Sequence, residues 1–299
     1  MPSEGSNGIT SHSDDRRGTM VNASETVLLD PADFHRLDSR LRLRGVLRAR
    51  TALHVGAAQG GDQEISDLPV LKDGRGLPFI PGASLKGVLR STLEALVRAA
   101  ENEPRGIWAC DSLDGDVDHR HPRTACGAHG KGGRGSIDTG RTCAVCRLLG
   151  SRAIASHVRV SDAMLREHEG ASPIEIRDGV AIDRDLGTVP RSQKYQFEVV
   201  APGTTFDLEV FVENPRDWLM GLLTIGWDQI ADGFTAVGGF GSRGLGRMEL
   251  QWESAEVFTA MSLLQNQPPT QWTSEALEAE QGKWRRALAQ RHGGAHVQG

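Results

Sequence analysis

GGFGSRGLGR, residues 238–247, governs how the rest of the chain is read. It contains Gly239-Phe240-Gly241-Ser242-Arg243-Gly244, a literal G-x-G-x-x-G. A dinucleotide-binding loop of that form follows a strand, opens a helix and is answered by an acid about 20 residues later. Here the preceding stretch, NPRDWLMGLLTIGWDQIADG (214–233), predicts a helix opening at Asn214-Pro215 and ending near Gly233. The following stretch, RMELQWE (247–253), predicts a short strand. No Lys-Ser/Thr follows the last glycine, so a nucleotide P-loop is excluded as well. What remains is a loop whose backbone can approach a ligand closely, with Arg243 and Arg247 beside it. Such a loop suits a sugar–phosphate chain; the plainer alternative is a tight connection packed on a sheet.

Upstream, RLRLRGVLRARTALHVG (40–56) alternates strictly. Leu41, Leu43, Leu47, Ala49, Leu53 and Val55 share one face, as in a strand buried on one side. Gly45 marks a bulge or bend. The other face carries Arg40, Arg42, Arg44, Arg48 and Arg50 with no acid among them. On this strand alone the arginines point to an anion, since guanidinium suits phosphate; a solvated polar face is the alternative. SLKGVLRSTLEALVRAA (84–100) has helical spacing, with Ser84 as its expected N-cap after Pro81-Gly82. Lys86 and Arg90 fall in its first two turns, where cations oppose the helix dipole unless an anion sits there. HVRVSDA (157–163) and TTFDLEVFVEN (204–214) predict strands, and IEIRDGVAIDRDLGTVPRSQKYQFEVV (174–200) a long hairpin or arm. Strand, helix, strand, hairpin, strand, helix, strand is an α+β chain of βαββαβ plan, ferredoxin-like.

Residues 101–150 are rich in Gly, His, Asp and Cys, with little periodicity, and predict an insertion without a core of its own. Cys110, Cys126, Cys143 and Cys146 are the only cysteines in the chain. Cys143-Ala-Val-Cys146 is a zinc half-site; the wider spacing of the other two leaves His119, His121 or His129 able to replace a cysteine. A structural Zn2+ would supply the folding energy that burial cannot.

The chain has 299 residues, net charge −5 and 38% hydrophobic residues, enough for one large domain or two small ones. An acidic balance excludes a global basic field, so nucleic-acid binding would need positive charge confined to one groove. The most apolar run, Trp218 to Trp227, is about half of the roughly 20 residues a membrane span needs. MPSEGSNGITSHSDDRRG (1–18) lacks the apolar segment of a signal peptide. The expectation is a disordered leader over 1–35, a cytoplasmic protein without disulfides, no membrane partner, and an amphipathic helix with a loose tail at the C-terminus.

The glycine loop before a final strand resembles the signature of the RAMP superfamily of CRISPR-associated proteins. IPGASLKGVLRSTLE (80–94), TALHVGAA…ISDLPVLKDGRGLPFIPG (51–82), RDGVAIDRDLGT…KYQFEVV (177–200) and CAVCRLLGS (143–151) resemble further family segments in the family's order. The resemblance covers most of residues 40–252 and is closest to backbone subunits of type III CRISPR effectors. It implies an RRM-like palm within a domain over 36–255. A zinc-binding insertion (101–150) and a thumb (about 172–200) decorate the palm, and a helical extension over 256–299 lies outside the resemblance. It implies subunits that polymerise along a CRISPR RNA with copies of themselves and other effector subunits, bind the complementary target RNA and serve antiviral defence. The expected RNA contacts are Arg48, Arg50, His54, Ser84, Lys86, Arg90, Gly239, Gly241, Ser242, Arg243, Gly244 and Arg247. Target cleavage in the family uses an aspartate after the first strand, here Asp67, with Mg2+ or Mn2+ and a 2′,3′-cyclic phosphate product; Asp62, Glu64 and Asp73 are rivals. The alternatives are a purely structural backbone subunit, a guide-processing endoribonuclease using His54, and a zinc protein unrelated to RNA.

Overall fold

The computed structural model describes residues 34–57, 66–111, 126, 142–151, 154–168, 170, 172–180 and 194–293. Most of the leader, Asp62, Glu64, His119, His121, His129, residues 181–193 of the arm and the tail after 293 lie outside the described residues. The elements are β1 (Ser39–Ala49), β2 (Phe79–Ile80), α1 (Gly82–Ala99), α2 (Ala144–Leu149), β3 (Val158–Val160), β4 (Ala163–Glu167), β5 (Ile174–Val180) and β6 (Lys194–Val200). After them come β7 (Thr205–Glu213), α3 (Asp217–Ala231), β8 (Met248–Thr259), α4 (Ala260–Leu264), β9 (Thr270–Thr273) and α5 (Ser274–His292).

The alternation of β1 places it at the centre of an antiparallel sheet of order β2-β4-β7-β1-β8-β9, with β3 also on β7. Leu43 stands opposite Val210 of β7 and Ala255 of β8. The predicted irregularity is a bulge against β8 between Arg44 and Gly45. A methyl group on Gly45 would lie 2.7 Å from the Gln251 carbonyl oxygen, so glycine is what lets β8 pass. Leu41, Leu43, Leu47 and Ala49 face the helices and are buried.

Helices α1 and α3 cover that leucine face. Leu85, Leu89, Leu93 and Val97 of α1 and Leu219, Leu223, Trp227 and Ile230 of α3 are buried there. The expected N-cap at Ser84 is corrected: α1 starts at Gly82, with Pro81 in the cap position. The capping acceptor comes from another element, Asp162 between β3 and β4, whose Oδ1 accepts from the Gly82 N–H at 2.8 Å. A side chain cannot replace the Gly82 hydrogen, because a Cβ would meet the Val160 carbonyl oxygen at 2.1 Å.

Of the insertion, residues 101–111, 126 and 142–150 are described. Its end is core: Cys143 through Leu149 are buried together with Cys110 and Ile107. Helix α5 caps the molecule, with Leu277 and Trp284 buried and the α5 backbone so close to α3 that a Cβ on Gly221 would lie 2.3 Å from the Trp284 carbonyl. Strands β5 and β6 pair antiparallel as a separate ribbon, from Ile174↔Val200 to Val180↔Lys194. No helix among the described residues is long and apolar enough to cross a membrane.

Candidate nucleic-acid interface and cysteine cluster

Past the end of β1, residues 50–54 form a spine between the glycine loop and β6. Arg50 N–H donates to the Arg247 carbonyl at 2.8 Å, and the Gly246 and Gly239 N–H groups donate to the carbonyls of Ala52 (2.8 Å) and His54 (2.7 Å). On the other side Leu53 and Val200 exchange both backbone bonds, at 3.0 and 2.7 Å. Two glycines of the loop are demanded by this packing. Gly238 (φ +80°) and Gly246 (φ +81°) would bring a Cβ to 2.3 Å from the His54 oxygen and 2.1 Å from the Val237 oxygen. Gly241, Ser242, Arg243 and Gly244 are exposed at the tip of the loop, where a short 3-10 turn ends in Gly244 (φ +86°). The loop is thus both things at once: a tight connection at its base and an open run of backbone at its tip.

His54 is buried. Its Nδ1 lies 2.8 Å from the Glu198 carbonyl oxygen, and its ring packs 5.0 Å from Phe240. Phe240 holds a left-handed backbone (φ +60°), unusual for a bulky residue, and its ring also meets Phe197 at 5.3 Å. The Arg243 guanidinium covers the Phe240 ring at 5.0 Å and donates from Nη1 to the Tyr195 hydroxyl at 2.8 Å.

Asp67 is exposed on a segment stitched to β6. Its Oδ2 accepts the Gln196 N–H at 2.7 Å, and Leu68 and β6 exchange backbone bonds at 3.2 and 2.9 Å. Next along, the buried Glu198 accepts from the Val70 N–H (3.0 Å) and from Lys72 Nζ (2.8 Å). Asp73, one of the rivals, accepts from the Leu77 and Arg75 N–H groups in its own turn; those bonds, the Leu77 one foremost, hold its carboxyl below its ordinary range.

The arginine face of β1 is where the expectation fails. Arg40 pairs with Glu213, Arg42 with Glu256 and Glu209, Arg44 with Glu209 and Glu256, and Arg50 with Glu249. The acids missing from β1 arrive from β7 and β8, so this face is a lattice of ion pairs. Arg48, exposed, has no ion-pair partner among the described residues.

Lys86 and Arg90 lie elsewhere. Lys86 Nζ donates to Ser156 Oγ (2.8 Å) and the Val158 carbonyl (2.9 Å). It is half-buried, and burial followed by the nearby Arg90 charge pushes its amine below the ordinary value. Val158 is opposite Val212, itself opposite Leu41. From there to Arg48 is seven positions of strand, about 23 Å. Lys86 borders a cleft of about 370 Å³ between α1, β3 and β7. Arg90 reaches Glu94 Oε1 (3.3 Å) and Cys146 Sγ (3.7 Å). Ser84, half-buried, lies in the first turn of the same helix.

The four cysteines meet. Their sulfurs lie within 4.8 Å of one another, with Cys110–Cys146 at 3.5 Å and Cys143–Cys110 at 3.7 Å. Backbone N–H groups of Cys143 and Cys146 donate to the sulfurs of Cys126 and Cys143, both at 3.3 Å. Hydrogen bonding from Cys126 draws the Cys110 thiol down to about 7, and bonding from Cys110 lowers Cys143 further. Cys126 and Cys146 move up in compensation. This cluster could hold a metal ion, and no histidine is needed to complete the set of four.

Tyr195, Phe197, Phe240 and Glu198 are site residues that sequence reasoning missed. The alternation of Lys194–Val200 carries the signal for Tyr195 and Phe197 sharing a face; nothing local announces their partner Phe240, more than 40 residues later.

The family model of the RAMP superfamily matches residues 46–249. Two curated relatives share the name CRISPR system Cms endoribonuclease Csm3. The one from Methanocaldococcus jannaschii is 28% identical over 232 residues, 72% of this chain and 80% of the relative. The one from Methanothermobacter thermautotrophicus is 25% identical over 233 residues, 70% of this chain and 82% of the relative.

Proposed function

Because this chain belongs to the RAMP superfamily, we propose that it is a backbone subunit of a type III CRISPR ribonucleoprotein that holds guide RNA and cuts complementary target RNA at Asp67. The observation that carries the reading is the junction past β1: the glycine loop and the β5–β6 ribbon flank residues 50–54, the loop's tip reaches Tyr195 of that ribbon, and Asp67 is bonded to the next residue of it. Both curated relatives are named endoribonucleases. The ferredoxin-like palm is supported by the antiparallel order β4-β7-β1-β8, with α1 and α3 as crossovers on one face; the β5–β6 ribbon would be the thumb. Partners are then CRISPR RNA, target RNA, further copies of the chain and other effector subunits, within the cytoplasm.

Guide binding divides over two places. Arg48, Arg247 and the Gly239–Gly244 tip, with Ser242 and Arg243, form one; Lys86, with Ser84 in the first turn of α1, forms the other. Separated contacts of this kind grip a backbone and leave sequence to base pairing. The outer sheet face, where an ordinary RRM stacks bases on aromatics, is filled by ion pairs around Arg40, Arg42 and Arg44, and only its Arg48 end contributes. His54 acts as a buried strut for the loop, which argues against a guide-processing histidine.

Asp67 would orient the target 2′-hydroxyl or accept its proton as that oxygen attacks the adjacent phosphorus. The 2′-oxygen–phosphorus bond forms as the bond to the 5′-oxygen breaks, leaving a 2′,3′-cyclic phosphate and a 5′-hydroxyl. An exposed carboxylate fits an Mg2+ or Mn2+ that keeps most of its waters and neutralises phosphate charge. The cysteine set fits structural Zn2+: sulfur separations of 3.5 and 3.7 Å match the edge of a tetrahedron with Zn–S bonds of about 2.3 Å.

A second reading, a structural subunit without cleavage, draws on the bond from Gln196 N–H to Asp67 Oδ2, which makes the carboxylate a cap for β6. Asp67→Ala separates the two. With a CRISPR array co-expressed, the variant is expected to keep its bound guide and lose target cleavage at least about 100-fold. Cleavage that survives in the variant refutes the assignment of Asp67.

A further inference from the structure

We infer that Tyr195 is a positioning residue that couples the glycine loop to Asp67. The inference rests on the reading of Asp67 and the loop given above. Arg243, at the exposed tip, donates to the Tyr195 hydroxyl at 2.8 Å. The very next residue, Gln196, gives its N–H to Asp67 Oδ2 at 2.7 Å and its carbonyl to the Leu68 N–H at 3.2 Å. The Asp67 carboxylate and the Leu68 N–H are therefore both held by Gln196, the residue next to Tyr195.

Tyr195 is held from three sides, so it transmits a displacement. Its ring lies over Gly179 on β5, where a methyl group would come within 2.2 Å of Tyr195 Cζ. It packs 5.9 Å from Phe197, which meets Phe240 at 5.3 Å. Phe240 is the residue bearing the left-handed backbone, and the Arg243 guanidinium lies over its ring. A phosphate arriving at Arg243 competes for the donor that now serves Tyr195, since a charged acceptor binds guanidinium more strongly than a phenol. Occupancy of the loop thus changes the restraint on β6, and through Gln196 the aim of the carboxylate. Substrate alignment of this kind is sensitive to displacements near 1 Å.

The chain contains a single tyrosine, so 13C-labelled tyrosine gives one resonance that reports this residue alone. With the full-length protein, the tyrosine signal is expected to move in Arg243→Ala and in Asp67→Ala without RNA, and in the wild type on adding single-stranded RNA. Tyr195→Phe, which removes only the hydroxyl, is expected to slow cleavage about fivefold with RNA affinity unchanged within about twofold, the size of one lost hydrogen bond. A role in folding alone would instead alter melting or affinity. If RNA binds and is cut normally by Tyr195→Phe, the coupling is refuted while the RNA reading stands. If no RNA binds at all, the RNA reading falls, and indifference of the tyrosine signal to both alanine variants refutes the coupling on its own.

Discussion

Gly246 is fixed by two independent demands. Its φ of +81° is in the region where side chains are strained, and a Cβ there would press on the Val237 carbonyl at 2.1 Å. Gly246→Ala is expected to cost about 2 kcal/mol or more, read as a lower midpoint in urea. Gly244→Ala has the same sign of φ but open space around it, so it should cost about 1 kcal/mol. Equal midpoints for the two variants would contradict this packing of the loop. The sequence makes the glycines visible and cannot rank them, because the atoms that rank them belong to Val237 and His54. Asp67 is similar. The resemblance points to it with Asp62, Glu64 and Asp73 as rivals, while its partner Gln196 lies on β6, more than 120 residues later.

At the scale of elements, the lattice on the outer sheet face has a pH signature. Burial opposes the Glu256 charge, but the bond from Gln271 and the attraction of Arg42 outweigh it and hold the carboxyl below its ordinary value of 4.5. The stabilisation is therefore complete above that value and is lost as pH falls through the lower folded one. Glu256→Gln is expected to lower stability at pH 7 and to lessen its decline between pH 5 and 3, measured by melting across that range; a decline as steep as in the wild type would remove Glu256 from the account. This lattice also explains where reading one strand at a time stopped. The alternation of β1 predicts the strand, its buried face and its bulge. The fate of its arginines depends on Glu209, Glu213 and Glu256, more than 160 residues downstream. The N-terminus of α1 behaves the same way, since its cap is Asp162 and not a neighbour in sequence. Strand β8 runs to Thr259, well past the predicted RMELQWE, because it follows β1 along its whole length.

For the whole molecule, the cysteine cluster joins the insertion to the core, since Cys110, Cys143 and Cys146 are buried among the residues that back α1 and α3. Removing a metal from it should therefore unsettle the domain as well as the insertion. We expect one Zn2+ per chain by elemental analysis, its loss in Cys143→Ser, and a fall in melting temperature of about 10 °C or more with a chelator at neutral pH. A metal-free chain whose melting ignores the chelator would exclude the site. Four cysteines in one insertion were legible as a donor set; that their knuckle doubles as core was not, because the helix Ala144–Leu149 is too short to show a period.

The central place of β1 has a last consequence, for synthesis. The strand is finished at residue 49, and the strands that flank it begin at 205 and 248. At the usual pace of a ribosome the first partner emerges on the order of ten seconds later. Through that interval a leucine-lined strand has neither edge occupied, so the nascent chain needs shelter from chaperones, and expression at lower temperature should raise the yield of folded protein.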